Sequence, residues 1–172
     1  MNCINCDSIE KGIHLLSLSE SKPLDEFGRL YIGDDFCERL VHEASEIEKV
    51  IEYVRCNNRK LTLLTAYYTD KGLDRLKIIL DKLNSCRLNI EVTVNDLGVL
   101  KVLNNYFPNL IPVFGRLFLF LLHPFFRAPA FSNSQGKPRE AYHERFALAK
   151  DFLEFLHESN IKRVEFDNMH SV

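Results

Sequence analysis

Four short polar segments of this 172-residue chain carry the residue types that acid–base, metal or binding chemistry uses. Glu165 and Asp167 lie two residues apart, so on a strand both project to one face, as a paired-carboxylate or divalent-metal site requires. Arg116 follows a glycine and could clamp a carboxylate or phosphate with its planar guanidinium. We predict catalytic roles for Asp96, Arg116, Glu165 and Asp167. We predict substrate-binding roles for Asp34, Asp35, Asn95 and Asn168.

Each of these residues also has a structural interpretation. Asn95 and Asp96 are strong N-cap residues, because their side-chain oxygens accept hydrogen bonds from the first amides of a helix. Glu165 and Asp167 could be solvated or salt-bridged carboxylates. Arg116 could form an internal ion pair instead of binding substrate. The possible partners of Arg116 in such an ion pair are three carboxylates expected at the same end of the sheet: Asp34, Asp35 and Glu165.

The five cysteines form an odd set, and the amino terminus lacks the basic patch and apolar run of a secretory signal. We therefore predict a cytoplasmic protein with reduced thiols. Cys37 is either a metal ligand or a small core residue beside Phe36. Cys3 and Cys6 have the spacing of metal ligands, but we expect this terminus to fray.

The composition is that of a soluble globular domain, with 46% hydrophobic and 27% charged residues. Because acidic and basic residues are mixed and the net charge is −2, no basic field for DNA is predicted. Charged residues and prolines interrupt the most apolar stretch, residues 113–131, so it does not read as a membrane-spanning helix. Binding partners of the protein must therefore be inferred from the polar segments.

Short apolar runs alternate with segments of helical periodicity along the chain. The runs predict five strands, at 30–33, 61–66, 90–94, 111–114 and 163–166. Three helices are predicted between them from apolar residues at helical spacing. The repeat of roughly 30 residues is typical of βαβ units and predicts a parallel sheet, in a barrel or a doubly wound arrangement. Because ligands bind at the carboxyl ends of parallel strands, the polar segments are expected to share one rim.

Five runs are similar, in order and spacing, to the opening half of the U-thirty-two family of collagenase-like peptidases. They are RLYIGDDFCE, LTLLTAYYTDKGLDRLKIIL, IEVTVNDLGVLKVL, PNLIPVFGRLF and, more weakly, KRVEFDNM. The resemblance implies a partial TIM-type barrel of about five strands. Residues 1–172 would form one truncated domain, with 1–28 as a less regular lead-in. It also implies that Cys37 is the first ligand of an iron–sulfur cluster. The other ligands of the family are absent, so a cluster is expected only in a full-length or assembled form.

The resemblance implies an accessory or partial enzyme in oxygen-independent hydroxylation of a biosynthetic intermediate or RNA. One alternative is a peptidase-like hydrolase that acts on peptide substrates. No catalytic nucleophile, metal motif or complete cluster motif supports either enzyme in the sequence. The other alternative is a non-catalytic half barrel whose open sheet edge binds a second copy or a partner subunit, because an unpaired edge strand must be covered. We therefore expect an oligomer.

Overall fold

The computed structural model describes residues 2–5, 27–40, 43–118 and 150–166. Its strands are β1 (Asn2–Asn5), β2 (Phe27–Gly33), β3 (Lys60–Leu64), β4 (Glu91–Val94) and β5 (Ile111–Phe114). Its helices are α1 (Ala44–Cys56), α2 (Asp70–Ser85), α3 (Leu97–Tyr106) and α4 (Lys150–Glu158), and a 3-10 turn spans Glu38–Leu40. Strands and helices alternate from β2 to α4.

All five strands form one sheet in the order β1-β2-β3-β4-β5, and every neighbouring pair is parallel. The predicted α/β fold with a parallel (β/α) repeat is therefore confirmed. One strand was not predicted, and one predicted strand is too long. β1 lies within the predicted lead-in, where Cys3 was expected to fray, and it pairs with β2. The run 163–166 forms a single parallel bridge, between Val164 and Phe114, instead of a full strand.

Helices α1, α2 and α3 pack beside one another in chain order, so they form one layer on one face of the sheet. The strand residues of that face and the inner faces of the helices share one apolar core; Ile32, Val50, Leu80 and Val92 are examples of its buried members. A doubly wound sheet would reverse its strand order and carry helices on both faces. Among the described elements the sequential order and single layer indicate the barrel type of winding.

An aromatic cluster attaches α4 to the end of the sheet. The ring of Phe114 on β5 lies 4.7 Å from that of Phe118 and 5.3 Å from that of Phe152 on α4. This packing brings the chain back to β5, where the amide of Glu165 donates to the carbonyl oxygen of Phe114. The segment 161–166 therefore continues the strand order beyond β5. No helix within the described ranges is long and apolar enough to cross a bilayer.

Candidate functional site

The loop after β2 makes a sharp turn at the carboxyl end of the sheet. Gly33 has a φ of 99°, and a Cβ there would lie 2.5 Å from the carbonyl oxygen of Leu64, so both conformation and space require glycine. Asp34 then stabilises the turn, because its Oδ1 accepts hydrogen bonds from the amides of Phe36 and Cys37, each at 2.7 Å. The turn places the Asp35 side chain over the sheet end.

Asp35, Asn95 and Arg116 come together at this rim, as their positions after three different strands predict. The Arg116 Nε donates to Asp35 Oδ2 at 3.1 Å, and Asn95 Nδ2 donates to Asp35 Oδ1 at 3.2 Å. Asn95 also donates to the carbonyl oxygen of Thr65 and accepts from the amide of Leu117. Its side chain is 0% exposed, so Asn95 is the buried junction of the rim.

Arg116 is held in place and yet partly open to solvent. Asp35 binds its Nε, and its guanidinium carbon lies 5.3 Å from the centre of the Phe36 ring, within the range of a cation–π contact. The Arg116 side chain is 39% exposed. Of the alternatives for Arg116, the ion pair with Asp35 is the one that forms. The same contacts orient the guanidinium at the rim, as binding of a carboxylate or phosphate would require.

Burial raises the pKa of the Asp35 carboxyl above its usual range, although the charge of Arg116 acts in the opposite direction. The charge of Glu165 adds to the increase. Asp35 nevertheless keeps both oxygens in hydrogen bonds. It is therefore suited to orienting Arg116.

Asp96 and Glu38 connect the rim loops to helix ends. Asp96 is the N-cap of α3, as one of its two interpretations predicts, and its Oδ2 also accepts from the amide of Tyr68. The Glu38 carboxylate accepts from the amide and the hydroxyl of Thr69, the N-cap of α2. These hydrogen bonds lower the pKa of Glu38. Both carboxylates therefore have structural partners, and a catalytic role for Asp96 stays a prediction.

A second polar cluster lies below the rim, on the sheet face opposite the helix layer. Glu91 on β4 forms ion pairs with Arg29 on β2 and with Arg163. Arg29 Nη1 also donates to the hydroxyl of Thr62 at 2.7 Å. The Arg163 Nε is buried and has no hydrogen-bond partner among the described residues. Two arginines thus share one largely buried carboxylate.

Tyr31 and Glu165 connect this cluster to the rim. The Tyr31 hydroxyl donates to Glu165 Oε1 at 3.1 Å, and Arg163 Nη1 donates to the same oxygen at 2.9 Å. Burial, followed by the charge of Glu165, raises the pKa of the Tyr31 phenol. Tyr31 therefore stays protonated and acts as a hydrogen-bond donor to Glu165.

Sequence reasoning missed Arg29, Tyr31, Glu91 and Arg163, because it considered the residues after the strands and Glu165 alone. A signal was present in RLYIG, residues 29–33, where polar and apolar residues alternate. Parallel strands buried on both faces normally read as continuous apolar runs. Alternation in such a strand therefore indicates a polar sheet face.

The remaining predicted site residues are Asp167, Asn168 and Cys37. Asp167 and Asn168 lie outside the described residues. Cys37 is a half-buried free thiol at the rim. Within the described ranges no group of three or more histidine, cysteine, aspartate or glutamate side chains could hold a metal ion. A four-thiolate cluster needs four sulfurs, and a role of Cys37 in such a cluster stays a prediction.

Comparison with protein-family models, curated proteins and solved structures finds no match for this chain. The resemblance to the U-thirty-two peptidase family therefore stays a prediction.

Proposed function

We propose that this chain is the substrate-binding unit of a barrel-type modifying enzyme, and that the anionic group of its substrate binds to Arg116. The observation that carries the proposal is the state of Arg116 at the carboxyl end of the sheet. Asp35 and Phe36 fix its guanidinium while its side chain remains 39% exposed. A guanidinium fixed in this way loses little conformational entropy when it binds a planar oxyanion.

The resemblance alone suggests which reaction is involved, namely oxygen-independent hydroxylation of a biosynthetic intermediate or RNA in the cytoplasm. RNA carries phosphate groups, and a biosynthetic intermediate with a carboxylate or phosphate group would equally agree with a binding role for Arg116. An iron–sulfur cluster with Cys37 as one ligand belongs to the same proposal. It requires thiolates from outside the described residues, and no step of the binding argument depends on it.

Nuclear magnetic resonance titration with acetate and with inorganic phosphate tests the binding site. We expect the amide signals of Phe36, Arg116 and Leu117 to shift together and to saturate. Arg116→Gln should abolish the response. The matched control is Arg55→Gln, because Arg55 is exposed near the end of α1 and contacts the carbonyl oxygen of Cys86 at 3.5 Å, away from the rim. Shifts that are scattered over the surface and persist in Arg116→Gln would disprove the proposal.

A second candidate function is the binding of a partner subunit or a second copy, and the pairing at the end of the sheet favours it. Among the described residues, the free side of β5 pairs with the segment 161–166 through one bridge, between Phe114 and Val164. The rest of that segment forms no strand pairing with β5. Backbone groups on such an edge can pair with another chain. Light scattering distinguishes this candidate, because it requires a mass above the 20.0 kDa of one chain.

A further inference from the structure

The two carboxylate oxygens of Glu165 differ in their surroundings. Oε1 accepts hydrogen bonds from Tyr31 at 3.1 Å and from Arg163 at 2.9 Å. No described residue donates a hydrogen bond to Oε2, and the Glu165 side chain is 20% exposed. The carboxylate is therefore held through one oxygen, and the second oxygen can accept a hydrogen bond from a bound molecule.

The residues that hold Glu165 are themselves fixed. Arg163 uses Nη1 for Glu165 and Nη2 for Glu91, and Glu91 is bound in turn by Arg29. The guanidinium of Arg163 is thereby constrained at both ends. A chain of three ion pairs thus determines the orientation of one partly exposed carboxylate.

This use of charged residues is unusual for the sheet face concerned. In a barrel the corresponding positions are mostly filled by branched apolar residues, which pack the interior. Buried ion pairs are often no more stabilising than apolar side chains of similar volume. Stability alone therefore does not explain Arg29, Glu91 and Arg163, whereas binding of a polar molecule does.

The carboxylate of Glu165 and the guanidinium of Arg116 belong to the same end of the sheet, because the amide of Glu165 donates to the carbonyl oxygen of Phe114, two residues before Arg116. We propose that Glu165 Oε2 accepts a hydrogen bond from a hydroxyl or N–H group of the molecule whose anionic group is bound by Arg116. Tyr31 and Arg163 are the positioning residues of this carboxylate. The ligand class is thus an anionic compound that also carries a hydrogen-bond donor, such as a hydroxy acid. This inference rests on the function proposed for Arg116.

Matched pairs of carboxylates that differ by one hydroxyl group test the inference. The pairs are acetate and glycolate, propionate and 3-hydroxypropionate, and butyrate and 4-hydroxybutyrate, which vary the distance between the two groups. In the wild-type protein we expect the hydroxylated member to bind about 10-fold more tightly at the best length, because hydrogen bonds to charged acceptors are strong. Binding constants come from the same resonance titration.

Variants assign the effect to Glu165. Glu165→Ala should reduce the advantage of the hydroxyl group to less than about 2-fold, as expected when one charged hydrogen bond is lost. Tyr31→Phe should reduce the advantage only partly, because Arg163 still donates to the same oxygen of Glu165. Glu48→Gln is the control, because Glu48 is an exposed carboxylate that pairs with Lys82 on the helix layer. Glu165→Met, which has a similar volume and no strong hydrogen-bond acceptor, replaces Glu165→Ala if the alanine variant does not fold.

The outcomes separate this inference from the function on which it rests. If every pair binds equally and binding still requires Arg116, the role of Glu165 is disproved and the role of Arg116 remains. An advantage that persists in the folded Glu165 variant also disproves the role of Glu165. If no carboxylate binds at Arg116, both proposals are wrong.

Discussion

Tyr31 on β2 donates a hydrogen bond to Glu165, which lies beside β5, at a distance of 3.1 Å. Four strand spacings separate the two backbones, or roughly 19 Å on a flat sheet, given about 4.8 Å for each spacing. A tyrosine and a glutamate side chain together do not reach that far. The sheet must therefore curl toward the face that carries both residues, as a barrel sheet does, and the curvature brings the two side chains together.

Loss of the Glu91 charge should strongly destabilise the protein. In Glu91→Gln, Arg29 and Arg163 lose the carboxylate that they share on the inner face. Removing one partner of a buried ion pair typically costs about 3–5 kcal/mol, because the remaining charge is left without compensation. Urea unfolding measures the loss. The control is Glu52→Gln on an exposed position of α1, which should change the free energy of unfolding by less than about 0.5 kcal/mol.

A double variant distinguishes charge from packing. Replacing Arg29 and Glu91 together by methionine should restore part of the stability lost in Glu91→Gln, because one buried charge of each sign is removed. If the double variant is less stable than Glu91→Gln, the packing of these side chains matters more than their charges.

The pKa of Asp35 should move in opposite directions in two variants of its neighbours. Glu165→Gln removes a like charge and should lower the pKa of Asp35. Arg116→Gln removes an opposite charge and should raise it further. Carbon-detected titration of the Asp35 carboxyl measures both shifts, with Glu48→Gln as a control that leaves the pKa unchanged. Shifts of the same sign would show that Glu165 and Arg116 do not flank Asp35.

The raised pKa of Asp35 also predicts how stability depends on pH. Folding binds a proton to Asp35 more tightly, so the contribution of this group is fully present below its unfolded pKa of about 3.9. The contribution is lost as the pH rises through the higher folded pKa. The free energy of unfolding of the wild type, minus that of Asp35→Asn, should therefore fall with rising pH and then level off. A difference that rises over the same range would contradict the burial effect.

Sequence periodicity predicted β2 to β5 because each of these strands contains an apolar run that is visible in a short stretch of sequence. Amphipathic helices separate these runs. Periodicity did not predict β1, since the four residues NCIN carry no clear pattern and their pairing with β2 is formed across more than 20 intervening residues. It also extended the last strand too far. Only Val164 pairs there, because the contact depends on how α4 packs against Phe114.

The rim was predictable because position after a parallel strand is a property of chain order. Asp35, Asn95 and Arg116 follow β2, β4 and β5, and the parallel sheet places these ends together. Which carboxylate pairs with Arg116 was not predictable, because the pairing depends on the strand register and on the curvature of the sheet. The same holds for the contact between Tyr31 and Glu165, which exists only in a curled sheet.

Gly115 is a second glycine of the rim at which a side chain should be destabilising. A Cβ on Gly115 would overlap Asn95 Oδ1, and Asn95 cannot move aside because it is fully buried and bonded to Asp35, Thr65 and Leu117. Overpacking at such a site costs about 1–3 kcal/mol. We therefore expect Gly115→Ala to lower the free energy of unfolding by that amount and to shift the amide resonance of Leu117.

Gly72→Ala is the matched comparison, because its Cβ would also overlap an oxygen, Glu38 Oε2, and would lie 2.9 Å from Tyr68 Cδ1. That oxygen ends a flexible side chain near the surface, so it can rotate away, although the hydrogen bonds from Glu38 to Thr69 would be lost. Alanine is favoured over glycine inside a helix by about 0.8–1.0 kcal/mol, which offsets part of that loss. Urea unfolding of both variants should therefore show a clearly larger loss for Gly115→Ala. Equal losses would show that Asn95 adjusts as freely as Glu38, and the description of Asn95 as the fixed junction of the rim would be wrong.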